Sequence, residues 1–518
     1  MFIKTFGSAL QGVDARTITI EVNTGGPVTI GKQFYFMVGL PDNAVREGFQ
    51  RIEAAIKNIG YRVPRVRTVV NLAPADIKKE GSAYDLPIAL AFLTATKQIK
   101  AVNIESYAMM GELSLDGSLR PMKGALPIAI QARKEGFKNF IVPKVNAREA
   151  AIVNDLNVFG VNNLSEAVDL ITGQSKLAPT FVETRDEFFH NQRKLDADFS
   201  DVKGQANIKR ALEIAAAGGH NVILIGPPGA GKTMLARRLP SILPPLNLRE
   251  ALETTKIHSV AGKLPEKSSL VAHRPFRSPH HTISDVALVG GGSNPMPGEI
   301  SLAHNGVLFL DELPEFKRSV LEVLRQPLEE RKVSISRAKI SIDYPAGFIL
   351  IASMNPCPCG YYNHPDKECV CNPGQVKKYL SKVSGPLLDR IDLHVEVTPV
   401  SYDELTSYKS QTESSEEISS RVLKARKIQT QRFEKKSDLY CNAQMPGQMV
   451  RELCQIDKGG RILLKTAMEK LKLSARAYVR ILKVSRTIAD LSGSDGIKME
   501  HLAEAIQFRS LDRENWAG

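Results

Sequence analysis

Along the first third of the chain, hydrophobic and polar positions repeat with two different periods. Alternation with a period of two predicts strands over Thr17–Val22, Gln33–Val38, Val66–Leu72 and Asn139–Val142. Between them, apolar residues at three- and four-residue spacing predict helices over Asn43–Ile59, Tyr84–Thr96 and Ala125–Glu135. This mixture describes an α/β or α+β domain over residues 1–172. The polar stretch 173–200 reads as a linker. Beyond it the strand signal changes character: Val222–Ile225, Val307–Leu310 and Phe348–Ala352 are apolar throughout, as strands buried on both faces are, and a further strand is expected over Leu393–Val397. Separated by helical patterns, they predict a doubly wound parallel sheet over 201–400. From residue 401 strand signals fade, and Ile418–Phe433, Arg461–Lys470, Ala475–Leu491 and Met499–Arg509 predict a helical domain, a lid, over 401–518. The fold class expected is therefore α/β, with an all-α C-terminal portion.

Chemistry enters at the end of the first buried run. Gly226-Pro227-Pro228-Gly229-Ala230-Gly231-Lys232-Thr233 stands between a strand and a helix, the context a phosphate-binding loop requires. Glycines let successive N–H groups turn onto phosphate oxygens at a helix N-terminus, Lys232 supplies a cation, and the Thr233 hydroxyl is placed for Mg²⁺. A second buried run ends in Asp311 and Glu312, suited to completing the Mg²⁺ shell and polarising a water for attack on a γ-phosphate. Together the two motifs predict ATP binding and hydrolysis.

At 518 residues the chain exceeds one core and should divide into about three domains. The net charge of +13 is spread: residues 201–400 carry 24 basic against 19 acidic side chains, and 401–518 carry 21 against 16. Such an excess permits nucleic-acid binding without requiring it. No apolar run reaches the ~18 residues that span a bilayer, and the first residues lack a signal-peptide core, so a cytoplasmic location is expected. Four of the six cysteines fall in Cys357-x-Cys359 and Cys369-x-Cys371. Thiolates so close, with Pro358, Gly360 and Pro373 forcing turns, suit a tetrahedral Zn²⁺ site, with His364 as an alternate ligand. The plainer alternative is a loop of reduced thiols.

Further segments resemble the parts of an AAA+ ATPase. Asn355, just past the strand ending at Ala352, resembles sensor 1; Gly385-Pro386-Leu387-Leu388-Asp389-Arg390 resembles the box that carries an arginine finger, with Arg390 the candidate; Leu473-Ser474-Ala475-Arg476 resembles sensor 2, with Arg476 reaching to the nucleotide. An arginine finger implies a ring of subunits, since it acts on a neighbour's γ-phosphate. The insertion 259–300, holding Arg274 and Arg277, resembles the helix-2 insert of magnesium-chelatase and MCM-type proteins. Arg331-Lys332-Val333-Ser334-Ile335-Ser336-Arg337-Ala338-Lys339, followed by Ile340–Asp343, resembles their presensor-1 hairpin, in which Arg337 and Lys339 would contact DNA phosphates.

The N-terminal region is similar to the Lon protease domain in two stretches, Lys79–Pro87 and Gly111–Pro121. Ala83 falls where the nucleophilic Ser would stand and Leu126 where the Lys would, so a peptidase dyad is not expected; Ser82 and Lys123 lie nearby. Lon-like domain, magnesium-chelatase-type core and helical C-terminal region together resemble the YifB/ComM family. The resemblance implies a hexameric ATP-driven helicase, in single or stacked rings, promoting branch migration as single-stranded DNA is integrated in natural transformation. Two other classes compete: a chelatase-like ATPase remodelling a protein partner, and an ATP-dependent protease.

Overall fold

The computed structural model describes residues 1–29, 32–185, 188, 197–265, 269–292, 295–337, 340–362, 364, 366–399, 412–434 and 439–509. They form two compact units, one of residues 1–192 and 248–272, the other of 193–247 and 273–518.

The first unit is built on a seven-stranded mixed sheet. Its strands are β1 (Phe2–Gln11), β2 (Asp14–Pro27), β3 (Tyr35–Val38), β4 (Val66–Ala73), β5 (Tyr107–Met109), β8 (Asn139–Pro143) and β9 (Asn157–Val161), in the order β3-β4-β2-β1-β5-β8-β9. Between β5 and β8, β6 (Glu112–Leu113) and β7 (Leu119–Arg120) form a separate small hairpin. The four expected strands are present; β1, β5 and β9 are additions. β1 escapes a hydrophobicity reading because polar residues point inward: Thr5 and Ser8 are buried, with Thr5 Oγ1 donating to Pro87 O and Tyr84 Oη to Ser8 O. The three expected helices appear as Asn43–Asn58, Asp85–Ala95 and Ala125–Lys134.

The Leu248–Ala261 helix, from the middle of the 201–400 span, belongs to this first unit. Its Lys256 pairs with Asp14 at 3.1 Å, and its Ser259 hydroxyl bonds the buried Glu149 carboxylate. Residues 173–200 are also not simply a linker, since Thr180 bridges to Val158 and Val182 and Phe188 are buried.

The second unit holds a five-stranded, all-parallel sheet of β10 (Val222–Ile225), β11 (Phe276–Arg277), β14 (Val307–Leu310), β17 (Ile349–Met354) and β18 (Leu393–Glu396), ordered β11-β14-β17-β10-β18. All residues of β10, β14 and β17 are buried, which is why they read as continuous apolar runs. Two antiparallel pairs lie outside this sheet: β12 (Gly290–Gly291) with β13 (Met296–Pro297), and β15 (Lys332–Arg337) with β16 (Ile340–Pro345). The helices Ser415–Arg432, Lys458–Leu471, Ala475–Leu491 and Met499–Gln507 share one hydrophobic core with the sheet: Ile418, Val422, Ala477 and Ile488 join Val222, Leu224 and Phe309. The packing thus draws no boundary at residue 400.

Candidate functional site

In an open parallel sheet, ligands bind beyond the carboxyl ends of the strands, where the order switches direction. Here β10 and β17 are adjacent although β11 and β14 separate them in sequence. The loop after β10 is the glycine-rich one, the loop after β17 begins at Asn355, and β14, on the far side of β17, ends at Asp311. Chain topology therefore gathers three motifs spread over more than a hundred residues of sequence.

Gly229 and Gly231 adopt φ of +79° and +82°, left-handed values that let the loop's amides converge before the Lys232–Ile242 helix begins. Lys232 is 8% exposed, and its Nζ donates to Gly226 O (2.7 Å), Pro227 O (2.8 Å) and Asn355 Oδ1 (3.1 Å). All three are neutral acceptors. Burial lowers the amine's pKa, while the charges of Asp311 and Glu312 oppose the shift. A buried ammonium bonded to neutral oxygens alone has room in its electrostatics for an anion, which is what a triphosphate supplies.

Asp311 is held from three sides. Thr233 Oγ1 donates to its Oδ2 at 2.7 Å, the buried Ser353 hydroxyl donates to Oδ1, and the Glu312 amide donates to Oδ1 at 3.0 Å. A hydroxyl beside a carboxylate is a hard-oxygen donor set that fits Mg²⁺. Glu312 sits at φ 54°, a conformation unfavourable for a non-glycine residue. Its side chain is 59% exposed, with His281 Nδ1 at 3.5 Å from Oε2. The glycine-rich loop lines a cavity of about 620 Å³, together with Val202, Lys203, Gln205, Tyr361, His364 and Lys367. That volume suits a nucleotide.

Sequence reasoning missed Ser353, His281 and the Val202–Gln205 segment. Ser353 was hidden because β17 extends two residues past its expected end at Ala352. A signal for the third exists in retrospect: Asp201-Val202-Lys203-Gly204-Gln205 is a polar turn immediately preceding the helix that leads into β10.

The expected arginines lie elsewhere. Arg390 is 4% exposed, with Nη1 donating to Pro386 O at 2.6 Å and Nη2 2.8 Å from Glu329 Oε1. A finger must project, and this guanidinium is folded inward. Arg476 is 55% exposed, with Nε 3.7 Å from the same Glu329 oxygen. Neither lines the nucleotide cavity; both are drawn toward one carboxylate of their own unit.

Arg274 and Arg277, expected at DNA, are engaged within the second unit. Arg274 donates to Pro244 O at 2.6 Å and Asn305 O at 2.7 Å, and Arg277 makes a two-pronged pair with Glu299 at 2.6 and 2.7 Å. Guanidinium groups so engaged fasten the fold and leave phosphate unserved. On the β15–β16 hairpin, Lys332 pairs with Asp343 at 2.9 Å at the base. Arg337 ends β15, and Lys339 lies outside the described residues.

The four clustered cysteines do meet: their sulfur atoms all lie within 4.8 Å of one another. His364 is not among them, and its Nδ1 instead accepts from the amides of Asp366 and Lys367, both at 3.1 Å. In the first unit, Ser82 donates to Glu112, Leu126 is fully buried, and the Lys123 side chain packs against Gly262. Among the described residues no lysine amine bonds Ser82, so no alternative dyad is assembled there.

A parallel sheet with a phosphate loop at its switch point and an Asp-Glu pair after the next strand but one defines the ATP-hydrolysing P-loop class. Comparison places the chain within it. Residues 198–405 match the family described as magnesium chelatase, subunit ChlI; residues 21–146 and 412–509 match that subunit's further and C-terminal portions. The competence protein ComM of Haemophilus influenzae is 43% identical over 98% of this chain and 97% of its own length. The uncharacterized YifB protein of Salmonella typhimurium is 44% identical over 98% and 96%. Lon protease 2 of Bacillus subtilis is 31% identical over 28% of this chain and 27% of its own. The chain belongs to the YifB/ComM family of magnesium-chelatase-like proteins, and with the family's AAA+ domain come ATPase activity and the use of ATP with Mg²⁺. No described helix is long and apolar enough to cross a membrane.

Proposed function

We propose that this chain is an ATP-driven DNA motor, assembled as a hexameric ring, that promotes branch migration while single-stranded DNA is integrated during transformation or recombination. The observation that carries this reading is near-full-length similarity to a competence protein, joined to a P-loop site whose parts the fold brings together.

In that site the chain's own groups divide the work. Lys232 offsets phosphate charge, Thr233 and Asp311 hold the metal, and Ser353 fixes the carboxylate's orientation. Asn355, tethered to Lys232, orients the attacking water, and Glu312 accepts its proton. Mg²⁺ held by Thr233 and Asp311 would supply charge neutralisation to the phosphates. In this reading Arg390 serves a neighbouring subunit's γ-phosphate and Arg476 reaches back to the nucleotide, and each would have to leave Glu329 to do so. The grip on DNA is assigned to Arg337 and Lys339 at the hairpin tip, since Lys332 is neutralised by Asp343.

Single-stranded or branched DNA should stimulate ATP hydrolysis by the full chain. The Arg337→Ala, Lys339→Ala double variant should keep basal hydrolysis but lose that stimulation. Its affinity for single strands should show a salt slope shallower by about 0.7–1.4, the loss of one to two phosphate contacts. An unchanged slope with full DNA-dependent activity would remove the hairpin from consideration. Hydrolysis indifferent to every nucleic acid would favour a protein substrate, the chelatase-like alternative that the family match supports.

A further inference from the structure

The nucleotide cavity has a wall that neither the sheet nor the phosphate loop supplies. Tyr361, His364, Asp366 and Lys367 line it opposite Pro227–Gly231, yet they lie in a loop without helix or strand. Immediately flanking them are Cys357 and Cys359 on one side and Cys369 and Cys371 on the other. We propose that these four cysteines hold one zinc ion as thiolates, and that the metal-closed loop is a structural wall of the nucleotide cavity, so that metal content sets nucleotide affinity.

The geometry is that of a metal site. A tetrahedral ion with Zn–S bonds of ~2.3 Å separates its sulfurs by ~3.8 Å. The observed separations are 3.3 Å for Cys357–Cys359, 3.7 Å for Cys357–Cys369 and 3.5 Å for Cys359–Cys369, with Cys371 in the same group. These are far beyond the ~2.05 Å of a disulfide. The Gly360 amide points at Cys357 Sγ from 3.2 Å, as amides do where a thiolate carries charge in a tight turn. Cys357 is fully buried. On binding, each thiol gives its proton to solvent and its sulfur lone pair to the ion; nothing is oxidised or reduced.

Two links tie the loop to the nucleotide machinery. Cys357 is two residues from Asn355, whose side chain holds Lys232. Gly360, at φ +86°, lies so close to the phosphate loop that an added Cβ would sit 2.5 Å from Pro228 Cδ. The loop itself is braced by the Tyr361 ring, which meets His364 edge-on at 5.6 Å and carries Lys367 over its face at 4.9 Å. Fixing both ends of this segment to one ion removes the ordering entropy that nucleotide binding would otherwise have to overcome.

The nucleotide arm of the test rests on the ATP-binding reading; the metal arm does not. Purified full-length protein should contain one zinc per chain by mass spectrometry, and Co²⁺ replacement should give the absorption of a four-thiolate site. Titration with a fluorescent ATP analogue, before stripping, after stripping and after zinc is restored, should show affinity weakened by about tenfold and then recovered. Circular dichroism should confirm that the stripped chain stays folded. Tyr361→Ala should retain zinc and still weaken nucleotide binding. Zinc far below one per chain after growth in zinc-replete medium, or iron in its place, overturns the assignment. Full zinc with an affinity unmoved by stripping overturns the wall. Zinc-loaded protein that binds no nucleotide overturns the ATP reading and leaves the metal site standing.

Discussion

Two glycines of the phosphate loop are required for different physical reasons, and substituting each separates them. Gly226 has ordinary backbone angles, but a Cβ there would lie 2.3 Å from Val397 O and 2.8 Å from Val397 Cβ. Both neighbours belong to the backbone register that joins the end of β10 to the exit of β18, where Val397 N donates to Ile225 O at 2.7 Å. Normal contact needs ~3.5 Å, so Gly226→Ala must part the two strand ends by about 1 Å. Overpacking of this kind costs ~1–3 kcal/mol, to which a weakened backbone hydrogen bond adds ~1 kcal/mol. Gly229 is the converse case: φ is +79° and no atom lies within 4 Å of the added Cβ, so Gly229→Ala carries only the left-handed penalty of ~1 kcal/mol. Differential scanning fluorimetry should show Gly226→Ala melting several degrees below Gly229→Ala, at ~2–4 °C per kcal/mol. Gly226→Ala should lose nucleotide affinity, because parting the strand ends by about 1 Å moves the amides that would meet phosphate. If Gly226→Ala melts with the wild type, the close approach of β18 to the loop is wrong and the argument fails.

Further outcomes follow from the same geometry. Glu312→Gln keeps Lys232, Thr233 and Asp311, so ATP should still bind while steady-state turnover falls by orders of magnitude; turnover within about tenfold of wild type would remove Glu312 as the base. His220 and Asp392 each contribute stability that is lost on acidification. Burial holds the His220 pKa below its ordinary 6.5, so the unfolded chain takes up a proton first as pH falls. Burial alone would raise Asp392, but Arg480 at 2.9 Å, His220 and the Asn221 amide hold it well below the usual carboxylate range, so its contribution disappears below about pH 4. A melting temperature that rises between pH 7 and 5 would contradict the sign for His220, and one that rises below pH 4 would contradict the sign for Asp392. Ser82→Ala should leave ATP hydrolysis unchanged and should abolish no casein degradation, because Ser82 is bonded to Glu112 and lacks a basic partner among the described residues.

The sequence by itself determined the elements whose signal is local. Continuous apolar runs marked β10, β14 and β17 because strands buried on both faces can hold nothing else, and the phosphate loop was legible because its backbone demands glycine at fixed positions. The clustering of cysteines was legible for the same reason, since four thiols that meet in space stand within fifteen residues in the chain. Whatever depended on long-range pairing was decided only by the tertiary structure. β1 was concealed because its buried polar residues are satisfied from the Asp85–Ala95 helix and its N-cap, Thr5 Oγ1 donating to Pro87 O and Tyr84 Oη to the Ser8 carbonyl. The Leu248–Ala261 helix could not be assigned to the first unit from its position, because Glu149 and Asp14, which hold it, come from distant segments. Arginine roles were the least legible of all. A guanidinium carries its charge wherever it stands, and only its partners decide what it does: Glu299 makes Arg277 a brace and Glu329 folds Arg390 inward, while the neutral oxygens around Lys232 leave that cation's charge for a phosphate.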